Sequence, residues 1–355
     1  MIAGHRRQIV YLERVLERGT LAHAYLFFGP EAVGKRTIAL AFATSLLCRG
    51  SGEPKFGGCL PDLASPAPAR SAGGGGRQAG GGCESCALAG SGAHPDLIVL
   101  SADAQLVPDD SKRASSTSLR AGIGIRNVHE LRRRLGLAAW AGGWRAVLID
   151  GADQLSRDAQ SALLKLLEEP GGKTVFLLIT SAPGVLLPTI RSRAVPMGFA
   201  PLGDEELSPF LGRVPREEQS ALLTLAAGRP GVLARLAVDR EYAASVRKED
   251  ARFEKLSNAD LLDRFAAADE LGREPERLSA FLAFFIRRLR TELLAALGRE
   301  RAPADGGAAA VSDRAELLRM LLDRASLAEG VALNRRLLVD GILFALERVR
   351  PHPSP

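Results

Sequence analysis

Residues 24–47 read AYLFFGPEAVGKRTIALAFATSLL, and this stretch decides the fold. Ala24-Tyr25-Leu26-Phe27-Phe28 is a continuous apolar run of strand length, lacking the polar alternation of a strand with one wet face. The loop Gly29-Pro30-Glu31-Ala32-Val33-Gly34-Lys35 follows, and Ile38 to Leu47 then reads as a helix. Strand, glycine-rich loop and helix in this order form the context of a phosphate cradle. Glycines let backbone N–H groups turn inward, the helix N-terminus favours negative charge, and the lysine reaches the phosphates. Gly29, Gly34, Lys35, Arg36 and Thr37 are therefore candidate nucleotide-site residues.

The cradle departs from a working one at two places. The position after the lysine needs a hydroxyl to ligate magnesium, and here it is Arg36. Thr37 is one residue later and turned by about 100° around the helix, a poor substitute. The second element, Val147-Leu148-Ile149-Asp150, is a strand ending in an acid that helps hold magnesium in P-loop enzymes. It is followed by Gly151, which cannot accept a proton from water. Hydrolysis of ATP by this chain is not expected. Binding is a separate matter, because Lys35 and the loop amides remain.

Outward from this region, further strand-length apolar runs are Leu97 to Leu100, Ala146 to Asp150, Thr174 to Thr180 and Ala194 to Phe199. Separated by helical patterns, they predict a parallel sheet covered on both faces. Asn127 with Glu130 reads as a capping box opening a helix with Val128, Leu131 and Leu135 on one face. Leu155, Ala159, Ala162, Leu163, Leu166 and Leu167 form another apolar stripe, which Pro170 stops. Beyond Phe199 the strand runs vanish and the pattern is helical. Phe281 to Arg288 and Ala315 to Ala325 have strong apolar faces that read as bundle core, whereas Arg287, Arg288 and Arg290 could meet DNA or merely solubilise the helix.

The four cysteines, Cys48, Cys59, Cys83 and Cys86, lie close together in the chain. That is too few for a disulfide scaffold and reads as a local ligand cluster in a reducing compartment. Cys83-Glu84-Ser85-Cys86 is a C-x-x-C knuckle, and Cys48 with Cys59 would complete an all-thiolate tetrahedral set, which favours zinc. His94, beside Pro95, reads as a loop residue. The cluster surrounds a segment that cannot pack a core: Arg49 to Ala93 holds 13 Gly and 4 Pro in 45 residues. Pro108 to Arg120 and Arg301 to Ser312 are further polar breaks.

At 355 residues the chain has room for two or three domains, and no apolar run approaches the length of a membrane span. The N-terminus lacks the pattern of an export signal, so a cytoplasmic protein is expected. Lys and Arg outnumber Asp and Glu by 47 to 41, a bias that permits a polyanionic partner without requiring one. Aromatics are 5% and scattered, which offers little platform for stacking bases.

Three segments carry a resemblance: Ala22-His23-Ala24-Tyr25-Leu26-Phe27-Phe28-Gly29-Pro30, Ala162-Leu163-Leu164-Lys165-Leu166-Leu167-Glu168-Glu169-Pro170 and Leu187-Pro188-Thr189-Ile190-Arg191-Ser192-Arg193. They resemble the AAA+ subunits of the bacterial replicative clamp loader, in particular its delta-prime branch. The likeness covers the first 200 residues and continues more weakly through Gly228-Arg229-Pro230-Gly231 and Asn334-Arg335-Arg336-Leu337-Leu338.

The resemblance implies an α/β AAA+ P-loop module with a five-stranded parallel sheet over residues 1–200, carrying the cysteine insertion at about 48–93. It further implies a small helical lid over 201–250 and an all-α collar for oligomerisation over 251–355. The implied function is a stator-like subunit in a hetero-oligomeric ring with gamma/tau-like and delta-like subunits. That ring places the sliding clamp on primed DNA, and delta-prime-like subunits commonly lack a working ATP site but donate an arginine finger. Ser192-Arg193 fits the family's Ser-Arg-Cys motif, with Ala194 in place of the cysteine, so Arg193 is the implied finger and Arg191 the lesser candidate. Arginine suits the role because its planar, permanently charged fork matches spread phosphoryl charge. Thr180-Ser181-Ala182-Pro183 stands where the family keeps a polar sensor, Ser181 being the candidate, although a strand-ending turn explains it equally well. Gly231 stands where active members carry a sensor arginine. The family's zinc module would want a cysteine where this chain has Gly80; Cys59 serves instead across an enlarged loop, whose closure entropy grows slowly with length. The competing readings are an active AAA+ ATPase of the gamma/tau type and a zinc-dependent DNA-binding protein with a relic phosphate loop.

Overall fold

A computed structural model of the chain describes residues 2, 4–50, 56–59, 83–104, 106, 122–140, 143–212 and 214–260, and beyond these 263, 266–267, 281–282, 284–286, 288–290, 293 and 315–321. The expected breaks at Pro108 to Arg120 and Arg301 to Ser312, the Leu60 to Gly82 part of the insertion and Asn334 to Leu338 lie outside the described residues. Two compact units emerge. One comprises Met1–Phe210 with Arg229–Gly231, the other Leu211–Gly228 with Val232–Pro355.

The first unit begins with α1 (Arg6–Arg18), β1 (Ala24–Phe28) and α2 (Lys35–Leu47), followed by α3 (Glu84–Gly90) and β2 (Leu97–Leu100). Then come α4 (Ile125–Leu135), β3 (Arg145–Asp150), α5 (Arg157–Glu168), β4 (Thr174–Thr180), α6 (Pro188–Arg191), β5 (Val195–Gly198) and α7 (Asp204–Leu207). The five strands make one sheet in the order β2-β3-β4-β1-β5, and every pairing is parallel. The expected sheet is thus present, with strand limits within a residue or two of the apolar runs. Pro196, which would cost a ladder hydrogen bond in a central strand, lies in the edge strand β5.

Alternate residues of each strand feed two cores. Leu26, Val147, Ile149, Phe176 and Leu178 pack with Leu131, Leu163 and Leu167 of α4 and α5. Tyr25, Phe27, Leu148, Val175 and Leu177 pack on the other face with Leu12 of α1 and Ile38 and Phe42 of α2. A sheet covered on both faces is what continuous apolar strands require. Helix α5 has the expected buried face and is capped by Ser156, whose hydroxyl accepts the Ala159 N–H at 3.2 Å. Helix α4 corrects the expected capping box: it opens at Ile125 after Gly124, and Glu130 pairs instead with Arg133 and Arg134 at 2.7 and 2.9 Å. The i,i+3 and i,i+4 arginines outcompete a backbone N–H three residues back. The apolar face of Val128, Leu131 and Leu135 is buried as expected.

The second unit contains α8 (Arg216–Ala226), most of α9 (Pro230–Val238) and α10 (Arg240–Asn258). Phe253 and Leu256 of α10 cluster with Phe281, Leu282, Phe285, Leu289, Leu317 and Leu321, and the Phe253 and Phe285 rings lie 4.6 Å apart. Arg288 is held by Asp250 at 3.1 Å and Glu254 at 2.9 Å. Its guanidinium thus has acidic partners within the bundle, and Arg287 lies outside the described residues.

The end of β1 is the tightest backbone packing in the sheet unit. Gly29 has φ 143°, and a Cβ there would overlap the Phe199 carbonyl oxygen. Gly29→Ala is expected to destabilise the chain by about 3 kcal/mol or more, because neither strain nor clash can be relieved by moving a side chain. Denaturant unfolding of the variant beside the parent chain measures this.

Candidate functional site

The C-terminal ends of β1, β3 and β4 converge on the loop Gly29–Gly34, the place where open parallel sheets bind ligands. The loop needs unusual backbone: besides Gly29, Ala32 has φ 61° and Gly34 has φ 106°. Gly34 caps α2, its carbonyl accepting the Ile38 N–H at 3.1 Å. Two contacts brace the loop from outside. The Gly231 N–H donates to the Ala32 carbonyl at 2.9 Å, and Nε2 of His5 donates to the Val33 carbonyl at 2.8 Å. His5 is buried against Phe199, ring centroids 4.9 Å apart. Gly231 also leaves no room: a Cβ there would come within 3.0 Å of the Ala32 oxygen.

The two cationic side chains of the cradle, Lys35 and Arg36, both meet partners within the protein. Lys35 is buried and its ammonium donates to the carbonyls of Gly29 and Pro30, both at 2.6 Å. Burial lowers its pKa, against the opposing pull of Glu31, Asp150 and Asp153. Arg36 turns toward the end of β3, where its Nε lies 3.4 Å from Asp150 Oδ2. A guanidinium thus stands beside the acid that would otherwise face a divalent ion. Burial raises the Asp150 pKa, while Arg36 and Lys35 oppose the rise. Thr37 is exposed on α2. Gly151 has φ 81°, a left-handed conformation that a glutamate would adopt only under strain.

Sequence reasoning missed Asp153. Its Oδ1 accepts the Thr180 hydroxyl at 2.6 Å and the Ser181 N–H at 3.3 Å, so it ties the turn after β3 to the end of β4. The signal was a carboxylate two residues beyond Gly151, and nothing in the sequence says which strand end it faces. Ser181 itself is exposed, and Thr180 is the buried hydroxyl. Ser192-Arg193 follows α6 and precedes β5; Arg193 is 38% exposed and Arg191 is exposed too.

The cysteines form a second centre. Cys48 ends α2, Cys83 caps α3, Cys86 lies in its first turn, and Cys59 follows the positive-φ turn of Gly57 and Gly58. The four sulfurs lie within 4.8 Å of one another and could hold a metal ion. Two glycines leave room for them. A Cβ on Gly58 would stand 2.6 Å from Cys86 Sγ, and one on Gly50 3.5 Å from Cys59 Sγ. Backbone N–H groups already point at sulfur, Cys83 to Cys59 at 2.9 Å and Cys86 to Cys83 at 3.4 Å. The Cys83 thiol is pulled down to about 6: burial pushes it up, but N–H groups of Arg49 and Cys86 and the thiols of Cys59 and Cys86 outweigh that. His94 is no member of the set. The Ser85 hydroxyl donates to the Leu47 carbonyl at 2.5 Å, which leaves its oxygen to accept from His94 Nε2 at 2.8 Å, while His94 Nδ1 accepts the Asp96 N–H at 3.0 Å.

Residues 4–60 and 72–203 match the family described as DNA polymerase III, delta subunit. The chain belongs to that family. It is 34% identical over 239 residues to the DNA polymerase III subunit delta' of Pseudomonas aeruginosa, covering 66% of this chain and 60% of the relative. The subunit delta' of Bacillus subtilis is 30% identical over 218 residues, 59% of this chain and 54% of the relative. The DNA polymerase III subunit gamma/tau of Mycobacterium bovis is 29% identical over 217 residues, 61% of this chain but 31% of its own length. The delta-prime likeness read from the sequence is borne out, and the chain spans 60% and 54% of the length of these two delta' relatives. No helix among the described residues is long and apolar enough to cross a membrane.

His5 gives this family member a testable acid dependence. Burial lowers its pKa below the usual 6.5, outweighing the Val33 carbonyl and Glu206, with Lys35 adding to the depression. The unfolded chain therefore takes up a proton more readily than the folded one. The stability that neutral His5 contributes is complete above about pH 6.5 and is lost as pH falls below that value. In His5→Gln, whose amide N–H can still reach Val33, unfolding midpoints at pH 7.5 and 5.5 are expected to differ less than in the parent chain.

Proposed function

We propose that this chain is a non-hydrolysing, stator-like subunit of a bacterial replicative clamp loader. In this reading it helps place the sliding clamp on primed DNA in the cytoplasm and donates Arg193 to a neighbouring ATPase subunit. The observation that carries the reading is the Arg36–Asp150 pair, 3.4 Å long, which sets a cationic side chain where a magnesium-dependent site needs its metal. The inward fold of Lys35 and the left-handed backbone of Gly151 support it from the other two catalytic positions. Gly29, Gly34, Lys35, Arg36, Thr37, Asp150 and Ser181 are then the remains of a nucleotide site. Residues 1–200 form the AAA+ module, 201–250 the lid and 251–355 the collar that joins gamma/tau-like and delta-like partners in a ring.

The gamma/tau likeness favours a second reading, an active ATPase. The two readings separate on turnover: the purified chain is expected to hydrolyse ATP no faster than background. Steady turnover abolished by Lys35→Ala would establish the second reading and remove the first.

Zinc fits the cysteine centre, because four thiolates suit a tetrahedral ion that prefers sulfur. Bound there, zinc supplies structural cross-linking. Cys48, Cys59, Cys83 and Cys86 would hold it and fasten the end of α2 to the start of α3. One zinc per chain is expected by elemental analysis of protein purified without added metal, with the four thiols slow to titrate until a chelator is added.

The finger is tested in the reconstituted ring. Arg193→Ala is expected to leave assembly intact, since an exposed side chain contributes little to stability. Clamp- and DNA-stimulated hydrolysis by the adjacent subunit should fall. Fingers in other phosphoryl-transfer systems are worth about 10³ to 10⁵ in rate, and intact sites elsewhere in the ring will mask part of that loss. Unchanged hydrolysis and clamp loading at equal ring occupancy would leave the chain a scaffold alone.

A further inference from the structure

Arg193 is held by contacts within its own chain. Its Nη1 donates to the Thr189 carbonyl at 3.2 Å, and its Nη2 lies 2.8 Å from Oε1 of Glu168. The two anchors sit on elements that are fixed to each other. Gln160 of α5 accepts the Leu187 N–H at the start of α6 at 2.9 Å, and Ile190 of α6 is fully buried in the core beneath α5. Thr189 and Glu168 therefore present a rigid bracket, and the guanidinium rests in it.

Glu168 is an odd choice for stability. It is the last residue of α5, where unpaired carbonyls make the helix end negative and a carboxylate is disfavoured. Glu169 follows directly, adding a second negative charge. The ion pair does not compensate through fold stability, because its partners are 38% and 50% exposed and such pairs contribute little. What the pair does accomplish is conformational. An arginine side chain has many rotamers, and a group that must meet a phosphoryl oxygen in one geometry acts faster if that geometry is set in advance.

We propose that Glu168 is a positioning residue for the Arg193 finger, holding the guanidinium aimed out of the subunit toward the neighbour's nucleotide. The proposal rests on the finger reading above and adds a residue to it. Glu168 touches no substrate; it acts through Arg193. The Thr189 carbonyl fixes one edge of the planar fork and the carboxylate another, leaving the remaining N–H donors for phosphate.

The test is a double-mutant cycle in the reconstituted ring at equal occupancy, reading clamp- and DNA-stimulated ATP hydrolysis. Glu168→Ala is expected to lower kcat about five- to tenfold with KM for ATP unchanged, a size typical of coupling between contacting groups. The Glu168→Ala/Arg193→Ala pair should be no slower than Arg193→Ala alone, because without the finger there is nothing left to position. Glu168→Gln, which keeps an acceptor oxygen but not the charge, should fall about two- to threefold and serves as the measured variant if the alanine ring does not assemble. A drop for Arg193→Ala with none for either Glu168 variant would overturn the positioning role and leave the finger standing. Independent, multiplicative losses would place the action of Glu168 elsewhere, and a faster Glu168→Ala ring would show that the carboxylate restrains the finger; both overturn the proposal. No effect of Arg193→Ala would remove the finger reading itself.

Discussion

Strand β1 is hydrogen-bonded on both sides, to β4 along one edge and to β5 along the other, and every feature of the sheet unit follows from that pairing. Because all the strands are parallel, their C-terminal ends lie on one rim, and the loop after β1 emerges among the ends of β3 and β4. Phe199, just past β5, gives its N–H to the Phe28 carbonyl at 2.8 Å and brings its own carbonyl against Gly29. The phosphate-type loop is therefore shaped by sheet pairing and close backbone packing.

Within that frame the charges have been reassigned. A P-loop presents a lysine and a metal-bound hydroxyl to phosphate; here the lysine answers to loop carbonyls and an arginine answers to the β3 acid. Desolvation explains why neither is left unpaired. Lys35 and Asp150 are both largely withdrawn from water, and a charge in that position needs a partner. The same economy appears at Asp153, which joins two strand ends through Thr180 and Ser181.

The cysteine centre solves a different problem, how to attach a glycine- and proline-rich insertion to a packed domain. The sulfurs come from a helix end, a glycine turn and a helix start. Ser85 and His94 continue the attachment below the sulfurs, reaching Leu47 on α2 and Asp96 at the start of β2. Packing alone could not hold such a segment, because too few of its residues can be buried.

The sequence by itself determined the local chemistry and the layers. Continuous apolar runs marked all five strands: the inner strands because burial on both faces leaves no polar alternate positions, and the partly exposed edge strand β5 by its run alone. The absence of a hydroxyl after Lys35 and of a carboxylate after Asp150 was legible for the same reason: both are one-residue facts in a motif of fixed spacing. The grouping of the four cysteines was also legible, since the chain has no other cysteine. Only tertiary structure decided which charges meet. Arg36 and Asp150 are 114 positions apart, and their pairing depends on β4 standing between β3 and β1 in the sheet. Asp153 and Thr180, His5 and Val33, and Glu168 and Arg193 are likewise partners across long stretches of chain, brought together by parallel crossovers whose geometry no local pattern encodes. Side-chain identity fixes what a residue can do, and chain topology fixes what it touches.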